Sequence, residues 1–184
     1  RGKLVFGSEF MSNKLRDDEV AALLCNGNSP NDLRTPDLRN LLAKIYALDL
    51  LIGNHDRHAE NYLISLEGSA EHGIRTGNLR PFDFESANIV QRKGSTLPFA
   101  PTSHTLTTSR TIRKVHQFEQ AAAQDMLTQL SKGREFIFER ATNGLPDDWL
   151  SATQRSALLD RVRSSAFEQE IYHIKQGLND GSYL

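Results

Sequence analysis

The sequence predicts a mainly α-helical, α+β fold, a helical body carrying one small β-hairpin. Three observations lead there. Leu38, Leu41, Leu42, Ile45, Leu48 and Ile52 repeat at helical spacing and mark one buried face, which Leu50 and Leu51 widen. Tyr62–Leu66 reads as a strand and is followed, after a turn over Gly68–Gly73, by a second extended stretch leading to Arg80-Pro-Phe-Asp-Phe-Glu85. Beyond residue 112, most of the chain repeats apolar residues at a helical period.

Taken in order, Lys3–Phe6 is a short strand candidate, and Leu15, Val20, Leu23 and Leu24 indicate a first helix over residues 15–25. Gly27-Asn-Ser-Pro30 is a turn. Thr35-Pro36-Asp37 suits a helix start, with Thr as N-cap, Pro in the first helical position and Asp in the first turn. Gly53 is the expected stop of that central helix. Residues 91–109, rich in Ser, Thr, Pro and Gly, carry little periodicity and read as a loop. A helix is expected over 112–130, with Val115, Phe118, Ala122, Met126 and Leu130 inward, and a separate one over 134–140 with Phe136 and Ile137. Leu145–Trp149 is a turn into a short helix. Ser151 with Gln154, and Ser165 with Glu168, are capping boxes opening the last two helices. Gly177 and Gly181 are expected to close the chain.

The 184 residues suit one domain spanning 1–184 with a sizeable core. A net charge of −1 provides no global field toward nucleic acid or membrane. Arg75, Arg80, Arg92, Lys93, Arg110, Arg113 and Lys114 are dispersed among acids, so no nucleic-acid partner is expected. No apolar run approaches the roughly 20 residues that span a bilayer, and no membrane role is expected. Cys25 stands alone, which rules out a disulfide framework and favours a reducing, cytoplasmic setting.

The chemistry concentrates in Leu51-Ile-Gly-Asn-His-Asp-Arg-His-Ala-Glu-Asn61 and Pro81-Phe-Asp-Phe-Glu85. Asp56 and Asn61 have the five-residue separation of the Asp and Asn in a kinase catalytic loop, where Asp takes the hydroxyl proton and Asn holds Mg²⁺. Asp83, between two phenylalanines, stands where the metal-binding Asp of an Asp-Phe-Gly loop would stand, with Glu85 in place of the Gly. A hairpin over 62–83 would bring Asn61 and Asp83 to the same end of two strands, facing one metal ion. Mg²⁺ prefers oxygen ligands and keeps several waters, so one carboxylate and one amide suffice from the protein. His58 is expected to brace the loop, donating to a backbone carbonyl or to Asp83, with a proton-transfer role as the alternative. Arg57 is taken as solvated rather than paired to phosphate, and Asn54 and His55 as residues that shape the loop.

Asn54-His-Asp-Arg-His-Ala-Glu-Asn61 followed by Phe82-Asp-Phe-Glu85 resembles the HipA-like kinases, and the catalytic loop is similar to the Asp-Arg-His-x-x-Asn of the phosphatidylinositol 3-/4-kinases. The resemblance runs loosely from Phe6-Gly-Ser8 to Pro146–Trp149. It implies a protein-kinase-like C-lobe whose helices and hairpin carry the catalytic and metal loops. In that likeness Asp56 is the catalytic base, and Asn61 and Asp83 are the Mg²⁺ ligands at the ATP site. Members of the family phosphorylate protein Ser or Thr hydroxyls, and some act as toxins. A kinase N-lobe brings about five strands, a loop over the phosphates and a nucleotide Lys. Residues 1–55 show no Gly-rich phosphate loop, and Lys3 is isolated. The N-lobe is therefore expected to be missing from this chain, with an N-lobe or regulatory protein as partner.

Two rivals follow from the same residues. A lobe without its partner half could act as a non-catalytic or split binding module. Gly53-Asn-His-Asp56 also occurs in two-metal phosphoesterases, but the other His and Asp motifs of that chemistry are missing.

Overall fold

The computed structural model describes residues 13–67, 73–84, 86, 87, 89, 99–143, 145–148 and 150–184. The strand candidate at Lys3–Phe6, the turn at 68–72, Glu85, residues 90–98 and Trp149 lie outside these. Among the described residues are six α-helices and one three-stranded sheet: α1 Asp17–Asn26, β1 Leu33–Arg34, α2 Leu38–Ile52, β2 Tyr62–Glu67, β3 Arg75–Pro81, α3 His104–Arg113, α4 Gln120–Thr142, α5 Ala152–Arg163 and α6 Ser165–Asn179. The mainly helical α+β expectation holds.

Helix α2 is the shared wall of two apolar clusters. Leu38, Leu42 and Ile45, at i, i+4 and i+7, face the sheet, α1 and Ile112. Ala43, Tyr46, Ala47, Leu50 and Leu51 face α4, α5 and α6. A helix buried on two sides needs apolar residues nearly all round. Leu41, Leu48 and Ile52, expected on one buried face with Leu38, Leu42 and Ile45, are only partly buried. The helix starts later than predicted. Asp37 occupies the left-handed region (φ 57) as N-cap, so Thr35-Pro36 forms the turn before the helix rather than its first residues.

The sheet has the order β1-β3-β2. Strands β2 and β3 form the predicted antiparallel hairpin, in register from Tyr62 opposite Pro81 to Glu67 opposite Thr76. Strand β1, not foreseen, runs parallel to β3. On the other edge of β2, Leu15 N–H donates to the Ile64 carbonyl at 3.0 Å and Leu66 N–H to that of Asn13 at 2.9 Å.

The C-terminal half departs from the expected boundaries. Residues 104–109 are not loop but the first turns of α3, capped by Ser103 Oγ, which accepts from Leu106 N–H at 3.2 Å. The predicted 112–130 helix is instead split by residues 114–119. Its stripe is shifted, with Ala123 and Leu127 buried in place of Ala122 and Met126, while Leu130 is buried as expected. Helix α4 then runs unbroken through Gly133 to Thr142, leaving Phe136 64% exposed. The Ser151–Gln154 capping box is present. In α6 the cap is Ser164, one residue earlier than predicted.

Gly177 lies inside α6 rather than beyond its end. A Cβ there would sit 2.5 Å from the Tyr183 ring. The chain end folds back at this point, and Tyr46 Oη donates to the Tyr183 carbonyl. Gly177→Ala is expected to lower stability by about 1–3 kcal/mol through overpacking, outweighing a helix-propensity gain of about 1 kcal/mol. Urea unfolding checks this, and a stabilised variant would show that Tyr183 does not hold its place.

Candidate functional site

The candidate site starts where α2 stops. Gly53 (φ 71) donates its N–H to the Asp49 carbonyl and turns the chain into the loop 54–58. Its left-handed backbone suits Gly, as expected. Asn54 is buried and ties the loop to the helix: its N–H donates to the Asp49 carbonyl at 2.9 Å, and Nδ2 donates to Asp49 Oδ1 at 2.8 Å. It shapes the loop, as its place in the sequence suggests.

Arg57 is not solvated. It is 1% exposed and faces an equally buried Asp49 in α2, with Nη2 donating to Oδ1 at 2.9 Å and Nε to Oδ2 at 3.0 Å. Nη1 donates to the carbonyls of Asn61 at 3.2 Å, Phe82, and Asp83 at 3.4 Å. One guanidinium therefore touches α2, Asn61 at the end of the loop, and the segment Phe82–Asp83 beyond β3. The expectation of a solvated side chain fails because Arg, mostly a surface residue, here has partners for its donors. A carboxylate and three carbonyls take them up, which is what a fully buried fork requires. Burial pushes the Asp49 carboxyl above its ordinary range, while Arg57 and Asn54 pull it back.

Asn61 closes the loop. Its Nδ2 donates to the Asp56 carbonyl at 3.0 Å. Among the described residues no donor reaches its Oδ1, so that oxygen is the amide's remaining acceptor. Phe82 N–H donates to the Asn61 carbonyl at 3.1 Å, continuing the hairpin register by one residue. Asn61 and Asp83 thus stand at the same end of the β2–β3 pair, as the hairpin argument requires. Asp83 is exposed and has φ 54, one of two non-glycine residues with positive φ among those described.

Asp56 is half-exposed at the surface of the loop, and His104 Nε2 lies 3.9 Å from its Oδ1. His58 turns toward Glu60 and His104: its Nδ1 is 3.8 Å from Glu60 Oε2, and its ring meets that of His104 edge-on, centroids 6.0 Å apart. Beside Asp56 lies a recess of about 390 Å³ between Gly53, His55 and the segment Phe99–His104.

Two supporting residues were missed in the sequence. Thr105, buried in α3, accepts at Oγ1 from Arg57 N–H at 2.9 Å and donates to the Asn54 carbonyl at 2.6 Å. Nothing in its polar, non-periodic surroundings marks it. Asp49 did carry a signal, being the one acid within the apolar run Leu48-Asp-Leu-Leu-Ile52.

The donors are of the kind a hard cation takes: a carboxylate and an amide oxygen, on residues at one end of a hairpin. Among the described residues no three His, Cys, Asp or Glu gather as a multi-ligand metal site. No described helix is long and apolar enough to cross a membrane. No family model, curated protein or solved structure matches the chain.

Proposed function

We propose that this chain is a HipA-like kinase lobe that transfers the ATP γ-phosphoryl group to a hydroxyl, on a protein Ser or Thr, in a Mg²⁺-dependent reaction. The observation that carries the proposal is the pairing of Asn61 with both halves of the site. Its amide nitrogen is committed to the Asp56 carbonyl and its backbone to Phe82, next to Asp83. Such a constellation is what phosphoryl transfer asks of a protein: little covalent chemistry and accurate positioning. Mg²⁺ and ATP would supply charge neutralisation and the phosphoryl group.

Asp56 orients the acceptor hydroxyl and takes its proton, with the recess beside it as the place for the acceptor segment. Asn61 and Asp83 hold the cation. His58, beside Glu60 and His104, keeps the face of the loop around Asp56 in shape. An N-lobe or a regulatory partner would complete the nucleotide cover.

Calorimetric titration with ATP, with and without Mg²⁺, tests the reading. Binding is expected to require Mg²⁺ and to weaken at least about tenfold in Asp83→Ala, as loss of a metal ligand should. Binding that ignores both the metal and the substitution would sink it. A second reading, a non-catalytic or split lobe, draws on the exposed rings of Phe82 and Phe84, which flank Asp83. Copurification of a β-rich protein together with no ATP binding at millimolar concentration would favour that reading. The two-metal phosphoesterase reading lacks its ligand set among the described residues.

A further inference from the structure

Asp83 holds a backbone conformation that an L residue with a Cβ adopts at a cost of order 1–3 kcal/mol. Such a conformation persists only where its surroundings over-determine it. One side chain reaches several of those surrounding groups. Arg57 Nη1 reaches the carbonyls on either side of the Asp83 nitrogen and Cα, those of Phe82 and of Asp83 itself. The guanidinium carbon sits 4.5 Å from the Phe84 ring centroid, so the next residue is also held. The other edge of the same fork is fixed to Asp49, on the most buried helix of the fold.

We propose that Arg57 is a positioning residue: it carries the rigidity of α2 into the metal loop and imposes the left-handed backbone at Asp83, so that the loop is set for the cation before it arrives. The proposal rests on the kinase reading for its link to Mg²⁺, but not for its link to the backbone. Arginine is required rather than lysine. Two edges of a planar fork must serve a carboxylate on one side and carbonyls on the other, and an ammonium offers no such geometry. Any swing of Phe82–Phe84 away from this position leaves buried donors of a cation without acceptors. The loop therefore resists displacement, and Arg57 holds it in this position.

The test is Arg57→Lys, which keeps a charge beside Asp49 and loses the fork. Amide hydrogen exchange of Phe82, Asp83 and Phe84 is expected to accelerate at least tenfold, while amides in α4 and α6 keep their rates. In the full protein the Mg²⁺ concentration needed for half-maximal ATP binding is expected to rise by a similar factor. Exchange at residues 82–84 that stays at the wild-type rate would overturn the proposal. So would acceleration shared equally by α4 and α6, the mark of a merely structural residue. Should Arg57→Lys fail to fold, Phe84→Leu removes the ring against the guanidinium and leaves the Asp49 pair. Faster exchange confined to residues 82–84 is expected there too, and unchanged or uniformly faster exchange would overturn the proposal in the same way. If the wild-type chain binds no Mg²⁺–ATP while exchange at 82–84 still responds locally, the kinase reading falls and the positioning role stands.

Discussion

Asp49→Ala is expected to destabilise the fold by about 3–5 kcal/mol, the cost of leaving the Arg57 charge buried without its counter-ion. For a chain of this size that corresponds to a fall in Tm of roughly 6–20 °C. The expectation follows from exposures of 0% and 1% for the two side chains, which leave the guanidinium no solvent to turn to. Replacing both partners together, Asp49→Leu with Arg57→Met, should recover part of the loss, because an apolar pair has no charge to strand. Recovery should stay incomplete, since the carbonyls of Asn61, Phe82 and Asp83 would lose their donor. Thermal and urea unfolding of the single and double variants decide this. A single-variant cost below about 1 kcal/mol would mean that the arginine relaxes outward or that water enters.

Asp56→Asn should act on chemistry and leave the fold alone. The carboxylate is 47% exposed, with His104 Nε2 3.9 Å from its Oδ1. The structural duties of residue 56 belong to its backbone, whose carbonyl accepts from Asn61 and whose N–H donates to Asn54 Oδ1 at 3.4 Å. An amide keeps that backbone and cannot take a proton. A loss of about 10²–10⁴ in phosphoryl-transfer rate is expected, the usual scale for a general base, with Mg²⁺-dependent ATP binding preserved and stability within about 0.5 kcal/mol of wild type. Transfer of labelled γ-phosphate to a generic acceptor protein, alongside calorimetry, separates the two effects. An Asn variant with undiminished turnover would remove Asp56 from the base position.

What could be read from residues alone was whatever had a period or a punctuation mark. Helix α2 and the hairpin showed through because apolar spacing, Gly53 and the turn residues all agreed. Helix α3 did not, since His104-Thr-Leu-Thr-Thr-Ser-Arg-Thr111 is rich in residues that form helices poorly on their own. It exists because Ser103 caps it and Thr105, Leu106 and Ile112 are buried by tertiary contacts. The separate helices expected over 112–130 and 134–140 are joined through Gly133, whose cost of about 1 kcal/mol relative to Ala is small beside the packing of a 23-residue helix. Asp56, Asn61 and Asp83 were nominated by spacing, and the hairpin does bring Asn61 and Asp83 to one end of its two strands. Arg57 was found but misplaced, because its carboxylate lies two turns back in α2 and its carbonyl acceptors lie up to 26 residues ahead.

Arg57 also ties together the two ends of a long segment. Its N–H is held by Thr105 and its guanidinium by the Asp83 carbonyl, so residues 84–104 leave and return at a single side chain and its backbone. The scaffold joins these ends whatever lies between them. Closure entropy grows only with the logarithm of length, about 0.6 kcal/mol per doubling for a flexible loop. Extra residues between these ends would therefore cost little in closure entropy, provided that Phe99 keeps its place in the core and Ser103 its place as the cap of α3.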